Sequence, residues 1–134
     1  AQYIHFECKG VFPTSFKALL KLKGIGDYTA SAIASICFDI PEAVVDGNVY
    51  RFLSRFFGIE TPINSSVSHK QFKAKAMELL DINDPGTFNQ ALMEFGSTQC
   101  VPRSPNCTAC PFVQDCIAFN QNKIELLNYV LVVV

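Results

Sequence analysis

The sequence LKGIGDYTA, residues 22–30, joins two helical segments through two glycines that flank one apolar residue. Gly24 and Gly26 permit a tight, partly left-handed turn, and without side chains they leave backbone amides accessible. Amides at the start of a helix bind anions through their unpaired N–H donors and the helix dipole. The stretch therefore predicts a helix-turn-helix hairpin that can hold a phosphate, and it also fits a plain tight turn.

Apolar residues on both sides of this hairpin recur at spacings of three and four, which is the period of an α-helix. No convincing pair of alternating strands appears, so we predict an all-α fold of six main helices and a short seventh. The predicted elements are a helix over about 1–8, one N-capped by Thr14, one after Gly26, one from Asp46 to Gly58, one over about 66–80, one from Thr87 to Gly96, and a short helix over 111–119 that carries Cys116.

Three of these helices show an apolar stripe typical of a core-facing side. Cys37 falls on one stripe, so we interpret it as a small buried residue, and Cys8 in the same way. The predicted inward residues are Ala30, Ile33, Ala34 and Cys37; Val49, Phe52, Leu53 and Phe56; and Phe88, Ala91, Leu92 and Phe95.

Composition indicates one domain with a substantial core, because 49% of the 134 residues are hydrophobic and twelve are Phe. The net charge of −1 excludes nucleic-acid binding through a globally positive surface, so any such binding must be local. Basic residues cluster in three places, each of which we interpret as a solvated helix face. The clusters are Lys17, Lys21 and Lys23; Arg51 and Arg55; and Lys70, Lys73 and Lys75.

Four cysteines, Cys100, Cys107, Cys110 and Cys116, follow the spacing C-x6-C-x2-C-x5-C in a loop stiffened by prolines. Four thiolates at this spacing can converge on one soft metal centre. An iron-sulfur cluster fits better than zinc, because a zinc ribbon normally has two C-x2-C knuckles and only one is present. Two disulfides are the third alternative and would indicate an oxidising compartment.

The sequence VVDGNV, residues 44–49, places a carboxylate between an apolar pair and the start of a helix. Asp46 and Asn48 are both good N-cap residues, and capping alone would explain them. A single helix connects this loop to the glycine hairpin. A site offering phosphate-binding amides and a carboxylate could therefore form between the two loops.

Together, LKGIGDYTA, VDGNV, FNQALMEFGSTQC and the cysteine loop resemble the helix-hairpin-helix DNA glycosylases that carry a [4Fe-4S] cluster, the superfamily of endonuclease III. The resemblance covers about residues 5–122 and is greatest to the adenine DNA glycosylases. It implies an incomplete glycosylase fold, part of a six-helix barrel plus a cluster loop. The implied divisions are a helical domain over 1–99, with the hairpin motif at about 14–38 and the Asp loop at 44–49, a cluster loop over 100–116 and a C-terminal tail over 117–134.

Tyr28 indicates which branch of the superfamily the chain resembles and which reaction that branch would carry out. In the endonuclease III branch this position holds a lysine that forms a Schiff base, which requires an amine. Tyr28 therefore implies a monofunctional glycosylase that uses water. Thymine-mismatch enzymes also carry Tyr there, but VDGNV and FNQALMEFG are more similar to the adenine branch. A thymine or uracil mismatch glycosylase, or an endonuclease III-like enzyme, remains the alternative.

The resemblance implies hydrolysis of the N-glycosidic bond of adenine mispaired with 8-oxoguanine or guanine, in DNA base excision repair. Asp46 would stabilise positive charge on the sugar, Asn48 would orient Asp46, and Tyr28 would line the pocket. The expected partner is double-stranded DNA containing a mispaired adenine, with no membrane and a monomeric protein; the expected location is the cytoplasm of a bacterium, at the nucleoid. The implied DNA-binding residues are Lys21, Lys23, Gly24, Gly26, Thr29 and Arg103, and the implied cluster ligands are Cys100, Cys107, Cys110 and Cys116.

Two departures from the family accompany this resemblance. The family's general acid is a Glu on an early helix, and Glu7 does not match that position, so we expect a fragment with little or no base excision. Residues 124–134, IELLNYVLVVV, have a strand-like composition, are too short to span a bilayer and would favour aggregation if exposed. A non-enzymatic hairpin module with a zinc clip and a degenerate, truncated product are the remaining alternatives.

Overall fold

A computed structural model describes residues 1–128, and every regular element in that range is a helix, which confirms the all-α prediction. Of the run 124–134, residues 126–128 form a 3-10 turn rather than a strand, and 129–134 lie outside the described residues. The α-helices are α1 (Gln2–Phe6), α2 (Phe16–Leu19), α3 (Asp27–Phe38), α4 (Gly47–Phe57), α5 (Ser68–Leu79), α6 (Pro85–Thr98) and α7 (Ile117–Asn120), with 3-10 helices at Cys107–Ala109 and Leu126–Asn128.

The described chain forms two compact units. The first contains residues 1–44 and 80–89, and the second contains residues 45–79 and 90–128. Helix α6 therefore contributes its first residues to one unit and the remainder to the other. No helix within residues 1–128 is long and apolar enough to cross a membrane.

In the first unit, the hairpin of α2 and α3 packs around a small apolar core. Gly24, with φ of 85°, makes the predicted left-handed turn, a conformation that glycine adopts without steric cost. The N-cap of α2 is Ser15 rather than Thr14, because the Ser15 hydroxyl accepts a hydrogen bond from the Ala18 amide at 3.3 Å. The buried core residues are Leu19, Leu22, Ala30 and Ala34, and Ile4, Phe16, Ile25, Ile33 and Ile40 pack against them.

Two predicted core positions are wrong. Cys37 is exposed near the end of α3, since the buried side of this helix is completed by Ser31 and Ser35 instead. Ala91 is exposed on α6, where Asn89 is buried. The spacing of apolar residues predicted that the buried side of α6 would be entirely apolar. A polar residue, Asn89, can occupy that side because its side chain is hydrogen-bonded.

In the second unit, α4 is the central element and packs against α5, α7 and the 3-10 helix at Leu126–Asn128. Val49, Phe52 and Leu53 are buried as predicted, and Gly58 ends the helix with φ of 65°. Two phenylalanines of α4 and two from other parts of the second unit pack with ring centroids 5.2–6.2 Å apart, in stacked, tilted and edge-to-face pairs that are favourable aromatic packing. The four rings are Phe52, Phe56, Phe95 and Phe112.

Helix α6 passes very close to the start of α4. A Cβ atom added at Gly96 would lie 2.7 Å from the main-chain oxygen of Asn48 and 2.9 Å from its Cβ, which is closer than real side chains approach. The obstacle is backbone and cannot move aside as a flexible side chain could. Only glycine therefore allows this approach of the two helices.

We predict that Gly96→Ala lowers the free energy of unfolding by about 1–3 kcal/mol, the usual cost of overpacking. Gly47→Ala is the matched control, because a Cβ there meets nothing within 4 Å. Denaturant unfolding of the two variants measures the difference. Equal stabilities would contradict the close packing of α6 on α4.

Candidate functional site

Asp46 is the N-cap of α4, so the capping interpretation is confirmed. Its Oδ1 accepts a hydrogen bond from the Val49 amide at 2.8 Å, and its Oδ2 accepts one from Nδ2 of Asn48 at 3.1 Å. These two bonds fix the carboxylate in one orientation while the residue stays half-buried. Capping and a chemical role are compatible, since an ionised carboxylate has further lone pairs to offer.

Arg51 fixes the other end of the Asn48 amide. Its Nη2 donates to Oδ1 of Asn48 at 2.8 Å and to the Gly96 carbonyl, while its Nε donates to the Cys100 carbonyl at 2.7 Å. Burial lowers the pKa of the Arg51 guanidinium, the charges of Cys100 and Asp46 raise it, and that of Arg55 lowers it. A continuous set of hydrogen bonds thus runs from the cysteine loop through Arg51 and Asn48 to Asp46.

Arg55, one turn later, is fully buried, so the prediction of a solvated arginine face on α4 is wrong. Its guanidinium donates to the carbonyl oxygens of Val101 at 2.8 Å, Pro102 at 3.0 Å and Ile124 at 3.0 Å. Nη1 also lies 3.4 Å from the carbonyl oxygen and from Sγ of Cys100. The planar fork of five N–H donors lets one side chain hold the start of the cysteine loop and the chain near residue 124 together.

The four predicted metal ligands, Cys100, Cys107, Cys110 and Cys116, line one cavity. Its other walls include Arg55 and the four packed phenylalanine rings described above. Burial raises the pKa of the Cys107 thiol, and the charges of the other three cysteines raise it further. Burial likewise raises the pKa of Cys116. Within residues 1–128, however, no three His, Cys, Asp or Glu side chains are grouped closely enough to hold a single metal ion.

The last cysteine is placed differently from the prediction. Cys116 precedes α7 as its N-cap residue, and turns occupy 111–115 in place of the predicted helix. Cys116 packs with the small core of Ala118 and Leu127. The chain from 117 to 128 is thereby part of the second unit.

The hairpin residues belong to the first unit, and Asp46 and the four cysteines belong to the second. Gly24 and Gly26 are exposed, and a Cβ added to either would meet nothing within 4 Å. Tyr28, in the first turn of α3, is 49% exposed. Lys21 and Lys23 are exposed and Thr29 is half-buried, while Arg103 is exposed in the cysteine loop of the second unit.

Sequence reasoning missed Arg51, Arg55 and Gly96 as parts of this arrangement. A signal was present for Arg51, which follows Asn48 by three residues and so lies beside it on a helix. The burial of Arg55 had no such signal, since its partners are main-chain carbonyls 45 or more residues away. Every residue type has a main-chain carbonyl, so the sequence does not show which residues will accept these hydrogen bonds.

Comparison with known proteins identifies a helix-hairpin-helix motif at residues 8–36. The chain is 45% identical over 109 residues to an adenine DNA glycosylase of Arabidopsis thaliana, covering 81% of this chain and 17% of that protein. It is 43% identical over 122 residues to the adenine DNA glycosylase of Homo sapiens, covering 90% of this chain and 22% of the relative. The chain thus spans about a fifth of the length of these two relatives.

Two solved structures have a fold similar to that of this chain. A thermostable thymine-DNA glycosylase superposes with a TM-score of 0.82 at 31% identity, covering 90% of this chain and 55% of that one. An endonuclease III in a non-covalent complex with DNA superposes with a TM-score of 0.74 at 24% identity, with the same coverage of both chains. The helix-hairpin-helix glycosylase fold predicted from the motifs is confirmed.

We predict that Arg55→Lys lowers the free energy of unfolding by on the order of 3 kcal/mol, because an ammonium group cannot reach several carbonyls in one plane and leaves some of them buried without a donor. Arg103→Lys is the matched control, since Arg103 is exposed. Urea denaturation measures both. A loss of similar size in the two variants would show that Arg55 does not hold the loop.

Proposed function

Because the chain belongs to the adenine DNA glycosylase family, we propose that it acts in base excision repair by hydrolysing the N-glycosidic bond of a mispaired adenine. The supporting observation is the carboxylate of Asp46, oriented by Asn48 and backed by Arg51. The partner we propose is double-stranded DNA containing adenine opposite 8-oxoguanine or guanine. A monomeric state and a location at the bacterial nucleoid in the cytoplasm stay predictions.

The hairpin of α2 and α3 would hold the DNA backbone. Gly24 and Gly26 leave open space where other residues would place a side chain, so a phosphate oxygen could approach the main chain there. Lys21 and Lys23 supply positive charge beside it, and Thr29 could donate from its hydroxyl. Phosphate contacts of this kind fix position on the duplex without reading sequence. With a net charge of −1, such contacts must be local.

Asp46 would act on the sugar. A base inside a duplex must be rotated out of the stack before its glycosidic bond can be reached. As that bond breaks, positive charge develops on the sugar, and a carboxylate already oriented stabilises it without a cost of reorganisation. The two hydrogen bonds at 2.8 Å and 3.1 Å keep Asp46 in this orientation before DNA binds.

Tyr28 supports hydrolysis over a lyase reaction. A phenol cannot form a Schiff base with the sugar, so the attacking group would be water. Its half-exposed side chain, in the first turn of α3, is available to line a pocket for the rotated nucleotide. The role assigned to it is packing against the sugar rather than proton transfer.

The four cysteines fit a [4Fe-4S] cluster. All four line one cavity with aromatic walls, and iron-sulfur clusters are held by four Cys thiolates. The Arg55 guanidinium, 3.4 Å from Sγ of Cys100, would offset negative charge on the thiolates. The cluster would supply structural cross-linking of the loop.

We predict that Asp46→Asn lowers the single-turnover rate of adenine excision by about 10²–10³-fold, since it removes the charge that stabilises the sugar cation. The test uses the longest natural chain that contains these residues, with adenine and thymine mispairs as substrates. Asn is also a good N-cap, so folding and DNA affinity are expected to persist. Asp39→Asn is the control, because Asp39 is exposed at the left-handed C-cap of α3, a conformation that Asn tolerates.

Undiminished excision by the Asp46→Asn variant would contradict the proposed role. Excision of thymine but not adenine by the unmodified protein would favour the thymine-mismatch alternative. That alternative has support from the superposition on a thymine-DNA glycosylase.

We also predict that the 134-residue chain alone excises little or no adenine. A neutral adenine leaves more readily than its anion, so an acid must protonate it, and Glu7 does not match the family's acid position. Incubation of the purified chain with a labelled adenine mispair tests this. Turnover at the rate of the longest natural chain would show that the acid is among these residues.

A further inference from the structure

Asn89 is a polar side chain with 1% exposure on α6, which the proposed reaction does not use. Its Oδ1 accepts a hydrogen bond from the Val44 amide at 3.0 Å. Its Nδ2 donates to the Glu42 carbonyl at 2.8 Å and to Oγ of Ser35 at 2.9 Å. All of these residues belong to the first unit, and they are 45–54 residues from Asn89 in sequence.

The chemistry of these partners requires an amide at this position. The Val44 N–H can only donate and the Glu42 carbonyl can only accept, so the side chain must present one acceptor and one donor at once. Ser35 uses its own hydroxyl proton toward the Ser31 carbonyl at 2.8 Å, which leaves its oxygen to accept from Asn89. Leu, Ala or an ionised Asp at position 89 would leave at least one buried main-chain group unsatisfied.

The bonded segment leads directly into the Asp46 loop. Val44 is two residues before Asp46, and Ala43, Val44 and Val45 are buried. We propose that Asn89 is a positioning residue for Asp46, because it fixes the main chain of residues 42–44 and so fixes where the Asp46 cap begins. This inference rests on the proposed function. Asn89 touches no reacting atom and acts through the main chain.

The test compares Asn89→Ala, Asn89→Asp and Ser35→Ala in the longest natural chain that contains these residues. Asn83→Ala is the matched control, since Asn83 is an exposed asparagine of the same unit. Single-turnover excision at saturating enzyme is measured together with DNA affinity. Selective ¹⁵N-valine labelling reports amide exchange at Val44 and at Val49, whose N–H donates to Asp46.

For Asn89→Ala we expect the excision rate to fall on the order of 10- to 100-fold while DNA affinity changes by about twofold or less, as for a displaced catalytic group. Amide exchange should accelerate at both Val44 and Val49 and stay unchanged at Val101. Asn83→Ala should match the unmodified protein. Ser35→Ala removes one bond of the three and should give a smaller loss, which keeps the test available if Asn89→Ala does not fold.

Asn89→Asp adds a pH signature that links the excision rate to the hydrogen bonds of this side chain. A buried carboxyl has a raised pKa, and below that pKa its neutral form can accept from Val44 and donate to Glu42. Above it, the carboxylate faces the Glu42 carbonyl without a proton. The excision rate of Asn89→Asp relative to Asn89→Ala should therefore rise as the pH falls.

Three results would overturn the inference. The first is an Asn89→Ala excision rate equal to that of the unmodified protein. The others are amide exchange that accelerates at Val44 but not at Val49, and a loss of excision rate that is fully explained by weaker DNA binding. If the unmodified protein excises no adenine, the proposed function fails. Exchange at Val44 and Val49 then decides by itself whether Asn89 holds the Asp46 cap.

Discussion

Two arginines on α4 hold the cysteine loop against this helix and, through Asn48, orient the Asp46 carboxylate. Arg55 is buried and bonds the carbonyls at the start of the cysteine loop and at residue 124, while Arg51 bonds Cys100, Gly96 and Asn48. Two guanidinium groups on consecutive turns of one helix thus organise a loop that has little regular structure. A buried guanidinium without these carbonyls would be strongly destabilising, so loop and helix must form together.

The position of Asp46 follows from this arrangement. The carboxylate caps α4, and its partner Asn48 is fixed by Arg51, which is itself fixed by the cysteine loop. Gly96 allows α6 to approach the same helix start closely enough for its carbonyl to accept from Arg51. Order in the cysteine loop therefore reaches the carboxylate through direct hydrogen bonds, so a cluster bound there, as proposed, would have a consequence for the proposed chemistry.

The sequence was sufficient for those features that depend on local chemistry. Period and capping residues predicted α3, α4 and the left-handed turn at Gly24, and four motifs in order predicted the glycosylase fold. The features it did not reveal depend on main-chain partners far along the chain. Arg55 and Asn89 look like surface polar residues in sequence, and only the fold shows the carbonyls and amides that bury them. Cys37 is the opposite case, an apolar position on a predicted stripe that is exposed.

We propose that the cysteine cavity beside Arg55 holds an iron-sulfur cluster in a chain that carries an oriented Asp46. Iron, sulfide and zinc content of the anaerobically purified chain, together with its visible absorption spectrum, tests this most directly. About four irons and matching sulfide per chain are predicted for one [4Fe-4S] cluster. One zinc per chain with no iron would contradict the account and would favour a non-enzymatic DNA-binding module with a zinc clip.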